Sequence, residues 1–407
     1  MTVEYDAIVV GARCAGSPTA MLLARHGYRV LLVDRARFPS DTLSTLVIHA
    51  PGVAALRRWG LLDRVVRSGC PPIERYSFDF GQITISGTPR AVEGVSTGYA
   101  PRRIVLDKIL VDAAAAAGAE VRERFKMDEL LIEDGTVVGI RGHGAGGQPV
   151  IERARVVVGA DGRNSHMANA VRADQYNVKP KLQYGYYTFF RDLPVDGMET
   201  VVRPARACGA IPTNDDLTLV VMGWPIAEAK AFKADVEAGF VSTLQLAPDF
   251  AERVRGATRV EPFLGGGVVN YFRKPYGPGW ALVGDAGYNK DPVTAQGISD
   301  AFRDAELCAT ALDETFTGRR SYADAMLTYW RSRDEHVLPI YELTTQLAAM
   351  EPPSPEMEQL FGAMCGDQDA MDSFVSVIAG TLSALEFFAP DNIARIMAGA
   401  TTEATAA

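Results

Sequence analysis

Three short runs of glycine and aspartate hold the residue types in this chain best suited to chemistry. The first is Gly11-Ala12-Arg13-Cys14-Ala15-Gly16. A leading glycine permits a tight turn, and a closing glycine lets the next helix pack closely on the strand before it. A pyrophosphate would sit at such a turn, where unpaired N–H groups and the helix dipole favour negative charge. Asp34 ends the next apolar run, where a carboxylate accepts hydrogen bonds from adenosine ribose hydroxyls. Arg13 stands where a middle glycine usually lets backbone approach the phosphates. Its guanidinium either pairs with a phosphate or lies in solvent. The second run, Gly159-Ala160-Asp161-Gly162, ends another apolar segment with a carboxylate and a flexible turn. A plain Asp-Gly turn has the same pattern. The third, Gly284-Asp285-Ala286-Gly287, continues through Pro292, Gln296 and Gly297 to Ile298. It ends an apolar run and opens a helix, as an unliganded strand-loop-helix connection would. Lys290 and Asp291, inside that loop, also fit a solvated pair.

These runs need strands and helices to hold them. Residues 5–11 and 29–33 read as buried parallel strands, with a helix between them that stops at Gly27. Residues 51–67 read as a helix, 73–100 as an antiparallel excursion, and 103–118 as an alanine-rich helix ended by Gly118. Residues 119–140 and 150–158 read as strands joined by a glycine-rich hairpin. Between 180 and 270, short strands rich in Tyr, Phe, Val and Thr indicate an inserted antiparallel sheet, interrupted by one helix near 227–245. Residues 280–284 return to the buried-strand pattern, and a long helix starts near Gly297. The remainder is helical, broken at Glu351–Pro355. The fold class expected is α/β: a Rossmann-like nucleotide-binding domain, an inserted antiparallel β-sheet domain and a helical C-terminal region.

Composition narrows the function. The chain has 407 residues, 47% hydrophobic and 22% charged, enough for two interlocked domains. A net charge of −9 with no long basic run argues against nucleic acid or anionic lipid as partner. The five cysteines and five histidines are scattered, without CxxC, HxxxH or HExxH spacing, so neither a disulfide framework nor a metal is expected. No apolar run is long enough for a transmembrane helix, and the first residues run straight into a strand without a leader pattern. The expected location is the cytoplasm.

Three strand-end motifs in this order, with the helix start Arg103-Ile104-Val105-Leu106-Asp107, resemble the flavin monooxygenase superfamily with the para-hydroxybenzoate-hydroxylase fold and its geranylgeranyl-reductase-like relatives. The resemblance spans about residues 5–310 and implies FAD bound in extended form. It assigns 1–72, 100–178 and 272–320 to the FAD-binding domain, 73–99 and 179–271 to a substrate-binding sheet domain, and 321–407 to a helical region. It implies cofactor contacts at Gly11, Ala12, Arg13, Cys14, Ala15, Gly16, Asp34, Arg35, Arg103, Met127, Asp161, Gly162, Gly284 and Asp285. Pro292, Gln296, Gly297 and Ile298 would border the flavin ring. Two departures stand out: Arg13 itself, and Ser165-His166-Met167-Ala168, where the family usually places an arginine shortly after the serine. No second dinucleotide motif is present.

The resemblance further implies that NADH or NADPH reduces FAD. O₂ then forms a flavin C4a-hydroperoxide, which hydroxylates or epoxidises an aromatic or polyketide-like molecule. The cofactor carries that chemistry, so no protein nucleophile is needed. A lipophilic or aromatic substrate would lie between the flavin and the inserted sheet. Candidate contacts are His49, Tyr184, Tyr186, Phe189, Arg203, Met222, Trp224 and Phe263, the apolar ones equally fit for ordinary core. The same motifs also suit a geranylgeranyl-reductase-like flavoprotein that saturates a carbon–carbon double bond. A third reading is a binding relative without flavin, of the Rab GDP-dissociation-inhibitor type. The sequence leaves the oligomeric state open.

Overall fold

Tyr5–Val10 and Val30–Val33 are apolar and mostly β-branched, which suits strands covered on both faces. In the computed structural model, which describes residues 5–406 (side chains to 399), they are adjacent strands of a sheet that is parallel except for its Tyr276–Gly277 edge. From one edge the order is Tyr276–Gly277, Trp280–Leu282, Pro149–Gly159, Tyr5–Val10, Val30–Val33 and Glu120–Arg122. The first strand is flanked by its successor on one side and by Pro149–Gly159 on the other. The chain reverses its direction of travel there, which opens a crevice at the carboxyl ends of the strands. The registers bring those ends level: Val10 lies beside both Val33 and Gly159, and Gly159 beside Leu282. The ends of all four motif-bearing strands therefore form one row. Pro149–Gly159 also joins the hairpin Lys126–Glu133/Thr136–His143 through its first half.

A second sheet runs Thr258–Arg259, Gln183–Arg191, Leu217–Pro225, Arg206–Pro212, Met198–Arg203, Tyr76–Asp79 and Thr84–Gly87. Tyr76–Asp79 joins it in parallel with Met198–Arg203 and carries Thr84–Gly87 as the edge strand. Pro72–Ile73 and Gly98–Tyr99, from the same stretch, pair with each other in a separate two-stranded sheet. The outer face of the second sheet is covered by the helices Ala229–Ala234, Val236–Leu244 and Pro248–Gly256, where the sequence suggests one helix. Similarly, 51–67 is two helices, Ala50–Arg58 and Leu62–Arg67, parted at Gly60, whose φ is +74°. A small sheet of Gln175–Lys179, Asn270–Arg273 and Tyr288–Asn289 ties the two large ones together. The boundaries expected at 178 and 271 fall inside it.

The C-terminal region is part of the core. Leu360, Phe361, Met364, Phe374 and Ile378 pack with Tyr76, Phe189 and Leu219 on the inner face of the second sheet. Among the described residues, no helix is long and apolar enough to cross a membrane, and no group of three or more His, Cys, Asp or Glu is arranged to hold a metal.

Candidate functional site

Gly11 turns the chain with φ +104°, and a Cβ there would stand 2.4 Å from the Ala160 carbonyl oxygen. A Cβ on Gly16 would stand 1.7 Å from the Gly11 carbonyl oxygen. Both glycines are therefore required by the packing of the first strand, the turn and the helix Gly16–Arg25. A Cβ on Gly284, whose φ is +57°, would stand 2.8 Å from the Ala15 side chain, so the third motif rests on the first. Ser17, in the first turn of that helix, is fully buried and its hydroxyl has no hydrogen-bond partner among the described residues. An orphaned hydroxyl beside unpaired helix amides fits a phosphate oxygen.

Arg13 is tied to protein groups. Its guanidinium bridges to Asp107 and, at 3.0 Å, to the Ser40 hydroxyl. Arg103 donates to the same fully buried carboxylate at 2.9–3.1 Å. The Cys14 thiol, 3.5 Å from Asp107, is pushed far up by burial and stays protonated. Asp34 receives the Ala12 and Ala36 amides, each at 2.7 Å, so it braces the glycine turn with lone pairs left for a ribose. Arg35 is exposed beside it. Met127 contributes its side chain to the apolar core with Phe125 and Leu31, which leaves only its backbone for a ligand. Asp161 receives the Ser165 hydroxyl and the amides of His166 and Met167. Its carboxylate therefore caps the short helix His166–Ala170. Gly162, with φ +78°, faces open space.

Asp285 differs from the other carboxylates. Its side chain is exposed, and no hydrogen bond to it is found among the described residues. Yet the protein around it is dense enough to push its carboxyl up by desolvation, against the pull of Arg103, Lys290 and Arg163. Its oxygens are open to accept from the hydroxyls of a ligand. Arg163, exposed beside it, has no counterpart in the sequence reading; only its place after Gly162 could have signalled it.

The loop that follows is held from several sides. Lys290 and Asp291 are buried, not a solvated pair. Lys290 bridges to Asp300, and Asp291 accepts from Gln183 and from the Val293 amide. One Asp291 oxygen is buried without a hydrogen-bond partner among the described residues, and desolvation raises the carboxyl to about 6. Gln296 is buried and donates to the Ile378 carbonyl at 2.7 Å, so it anchors the loop to the C-terminal region. Pro292 is exposed, Ile298 lies in the core, and Ala295 adopts left-handed φ +52°. Gly297 is exposed and faces open space at the start of the 20-residue helix Gly297–Phe316. A helix start of this kind offers free amides to a negative charge.

The substrate candidates divide by face. Tyr184 pairs with Trp224 and Tyr186 with Met222, and directly opposed residues share a sheet face. That face is the outer one. Trp224 stacks on Phe232 at 4.3 Å and donates to Thr243, while Phe263 packs on Phe240. Tyr184, Tyr186, Met222, Trp224 and Phe263 therefore do not face the cleft, which corrects the sequence expectation. Arg203 is bound to Asp79 at 2.9 Å and fastens two strands. His49 is buried with both ring nitrogens hydrogen-bonded to protein, so it does not reach a substrate. Phe189 alone points inward, in one apolar cluster with Ala295 of the loop, and the Arg102 guanidinium lies 4.6 Å over its ring. Its inner-face neighbours Tyr187 and Val221 were not singled out from sequence. Aromatic residues occupy both faces of this strand, so alternation could not choose between them.

Known proteins agree with this architecture. Digeranylgeranylglycerophospholipid reductase 2 of Methanococcoides burtonii is 27% identical over 313 residues, 73% of this chain and 72% of that protein. The 6-methylpretetramide 4-monooxygenase of Streptomyces rimosus is 25% identical over 358 residues, 84% of each. A flavoprotein/dehydrogenase structure from Cytophaga hutchinsonii superposes with a TM-score of 0.83 at 18% identity, over 98% of this chain and 99% of that one. A family model described as an FAD binding domain matches residues 4–264, more than half of the chain. The row of strand ends, the required glycines and the free Asp285 carboxylate thus belong to a chain of the FAD-binding-domain family, a flavin-dependent oxidoreductase.

Proposed function

We propose that the protein is a monooxygenase that hydroxylates or epoxidises an aromatic or polyketide-like small molecule, with FAD, O₂ and NADH or NADPH. The observation that carries this reading is the placement of the Pro292–Gly297 loop against an inner sheet face bearing Tyr187 and Phe189. The similarity to the Streptomyces rimosus monooxygenase over 84% of both chains supports it. FAD, once bound and reduced, supplies the electrons that activate O₂.

The protein's part is binding and environment. The glycine turn and the Ser17 hydroxyl receive the phosphates, and Asp34 the ribose. Asp285 accepts from the ribitol hydroxyls. The amides of Gly297 and Ile298 stabilise negative charge on the flavin ring. Tyr187, Phe189 and Val221 hold a flat apolar substrate and exclude water.

A second reading, saturation of a prenyl double bond, is favoured by the likeness to the Methanococcoides burtonii reductase. One experiment separates the two. The holoenzyme is given NAD(P)H and panels of polyphenolic, polyketide and prenylated compounds, with and without isotopically labelled O₂. Incorporation of one labelled oxygen, with no turnover in its absence, is expected. Anaerobic product two hydrogens heavier, without label, would sink the monooxygenase reading.

A further inference from the structure

His49 heads the helix Ala50–Arg58 and is 1% exposed. Four contacts bind it to three other elements. Its backbone amide donates to the Ser299 hydroxyl at 3.1 Å, in the first turn of Gly297–Phe316. Its Nε2 lies 3.0 Å from the Thr294 carbonyl oxygen. Its Nδ1 lies 3.0 Å from the Tyr76 hydroxyl of the second sheet, and the two rings stack with centroids 5.7 Å apart. A carbonyl can only accept, so Nε2 carries the hydrogen. The Tyr76 phenol, pushed up by burial, keeps its proton and donates to Nδ1. The ring is therefore a neutral imidazole in one tautomer. Desolvation lowers its pKa to about 4, outweighing the Thr294 carbonyl and Asp300, which favour the cation; Lys290 adds to the lowering.

The helix start cannot pull away from this junction. A Cβ on Gly52 would stand 2.7 Å from the Ser299 hydroxyl. Thr294 immediately precedes Ala295, whose left-handed φ of +52° redirects the chain into Gly297. Ala has no intrinsic preference for that conformation, so surrounding contacts must hold it. The carbonyl fixed by His49 is one residue before the strained one and three before Gly297.

We propose that His49 is a positioning residue for the cofactor loop: its Nε2–H holds the Thr294 carbonyl and thereby sets the direction of the amides at Gln296, Gly297 and Ile298. The proposal rests on the flavin ring lying against those amides. His49→Phe keeps a flat ring and removes both side-chain hydrogen bonds. His49→Gln keeps an amide donor for Thr294.

Two measurements need no cofactor. In the ¹⁵N-histidine-labelled apoprotein, His49 is expected as the Nε2–H tautomer, without titration between about pH 5 and pH 8. An Nδ1–H tautomer, or titration near the ordinary 6.5, would overturn the proposal. Hydrogen exchange of residues 292–298 in the apoprotein should quicken in His49→Phe and stay near wild type in His49→Gln. Equal exchange in all three forms overturns the hold on the loop.

In the FAD-loaded enzyme, His49→Phe should lower kcat for NAD(P)H oxidation by about tenfold to a hundredfold. It should also make the flavin potential more negative, with KM for the nicotinamide unchanged and His49→Gln restoring most of both. Faster exchange in the apoprotein beside unchanged kcat and potential would overturn the cofactor role, and with it the placement of the flavin against this loop.

Discussion

Arg13 and Asp285 show how differently two charged residues in fingerprint positions are used. Arg13 replaces the glycine that would let phosphates approach, and its charge is taken up by Asp107 together with Arg103. The pair of cations around one buried carboxylate ties the glycine turn to the helix Arg103–Ala116. Asp285, by contrast, has no side-chain hydrogen bond among the described residues, and desolvation raises its carboxyl against the pull of Arg103, Lys290 and Arg163. Carboxylates whose charge desolvation disfavours, and whose oxygens lack hydrogen bonds, persist where a ligand supplies them. Asp285→Asn should therefore weaken FAD binding by about tenfold to a hundredfold, the loss of a charge-assisted acceptor worth roughly 1.5–3 kcal/mol. The same substitution should leave apoprotein stability at neutral pH equal or higher, because a neutral amide relieves the desolvation. Titration of apoprotein with FAD, followed by flavin fluorescence, measures the first effect; unchanged affinity would remove Asp285 from the site.

At the scale of elements, the two faces of Gln183–Arg191 have separate duties. Trp224, opposite Tyr184, is fully buried against Phe232 and Thr243 beneath the outer helices. Trp224→Phe removes one buried hydrogen bond and part of a ring, a loss of about 1–3 kcal/mol in unfolding experiments. Substrate-stimulated NAD(P)H oxidation by the folded fraction should stay as in wild type. Tyr187→Leu, on the inner face, should do the reverse: a raised KM for the substrate with a smaller loss of stability. Interchanged results would show that the outer face binds the substrate. The strands themselves were legible, because runs such as Ala7–Val10 and Leu31–Val33 admit one reading and end in glycine or aspartate. The order of the three motifs was legible for the same reason. The choice of face was not, since Tyr184-Gly185-Tyr186-Tyr187-Thr188-Phe189-Phe190 puts bulk on both sides. Nor were the restraints on the Pro292–Gly297 loop. Gln296 to Ile378 and Thr294 to Thr344 are contacts between residues far apart in the chain, and nothing local announces them.

Over the whole molecule, a band of buried charge runs between the parallel sheet, the Pro292–Gly297 loop and the helix Tyr322–Ala348. It contains Lys290, Asp291, Asp300, Asp304 and Arg333. Lys290 and Arg303 hold the Asp300 carboxyl far below its ordinary range despite burial. Its contribution to stability is present above the unfolded pKa near 4 and is lost as pH falls further. Asp291 and Asp304 behave oppositely: desolvation raises each from 3.8 to about 6. A raised carboxyl contributes stability that is present below pH 3.8 and is lost as pH rises through about 6. At neutral pH Asp291 therefore opposes folding, by up to roughly 3 kcal/mol at about 1.4 kcal/mol per pH unit. Asn keeps an oxygen that can accept from Gln183 and the Val293 amide, as Asp291 does, but carries no charge to desolvate. In apoprotein, Asp291→Asn should unfold at higher denaturant than wild type at pH 7, by about 1–3 kcal/mol, and the gain should vanish below about pH 4. A gain that is the same at both pH values would place the strain in packing; a loss at pH 7 would mean that the Asp291 carboxylate is stabilised by its surroundings after all.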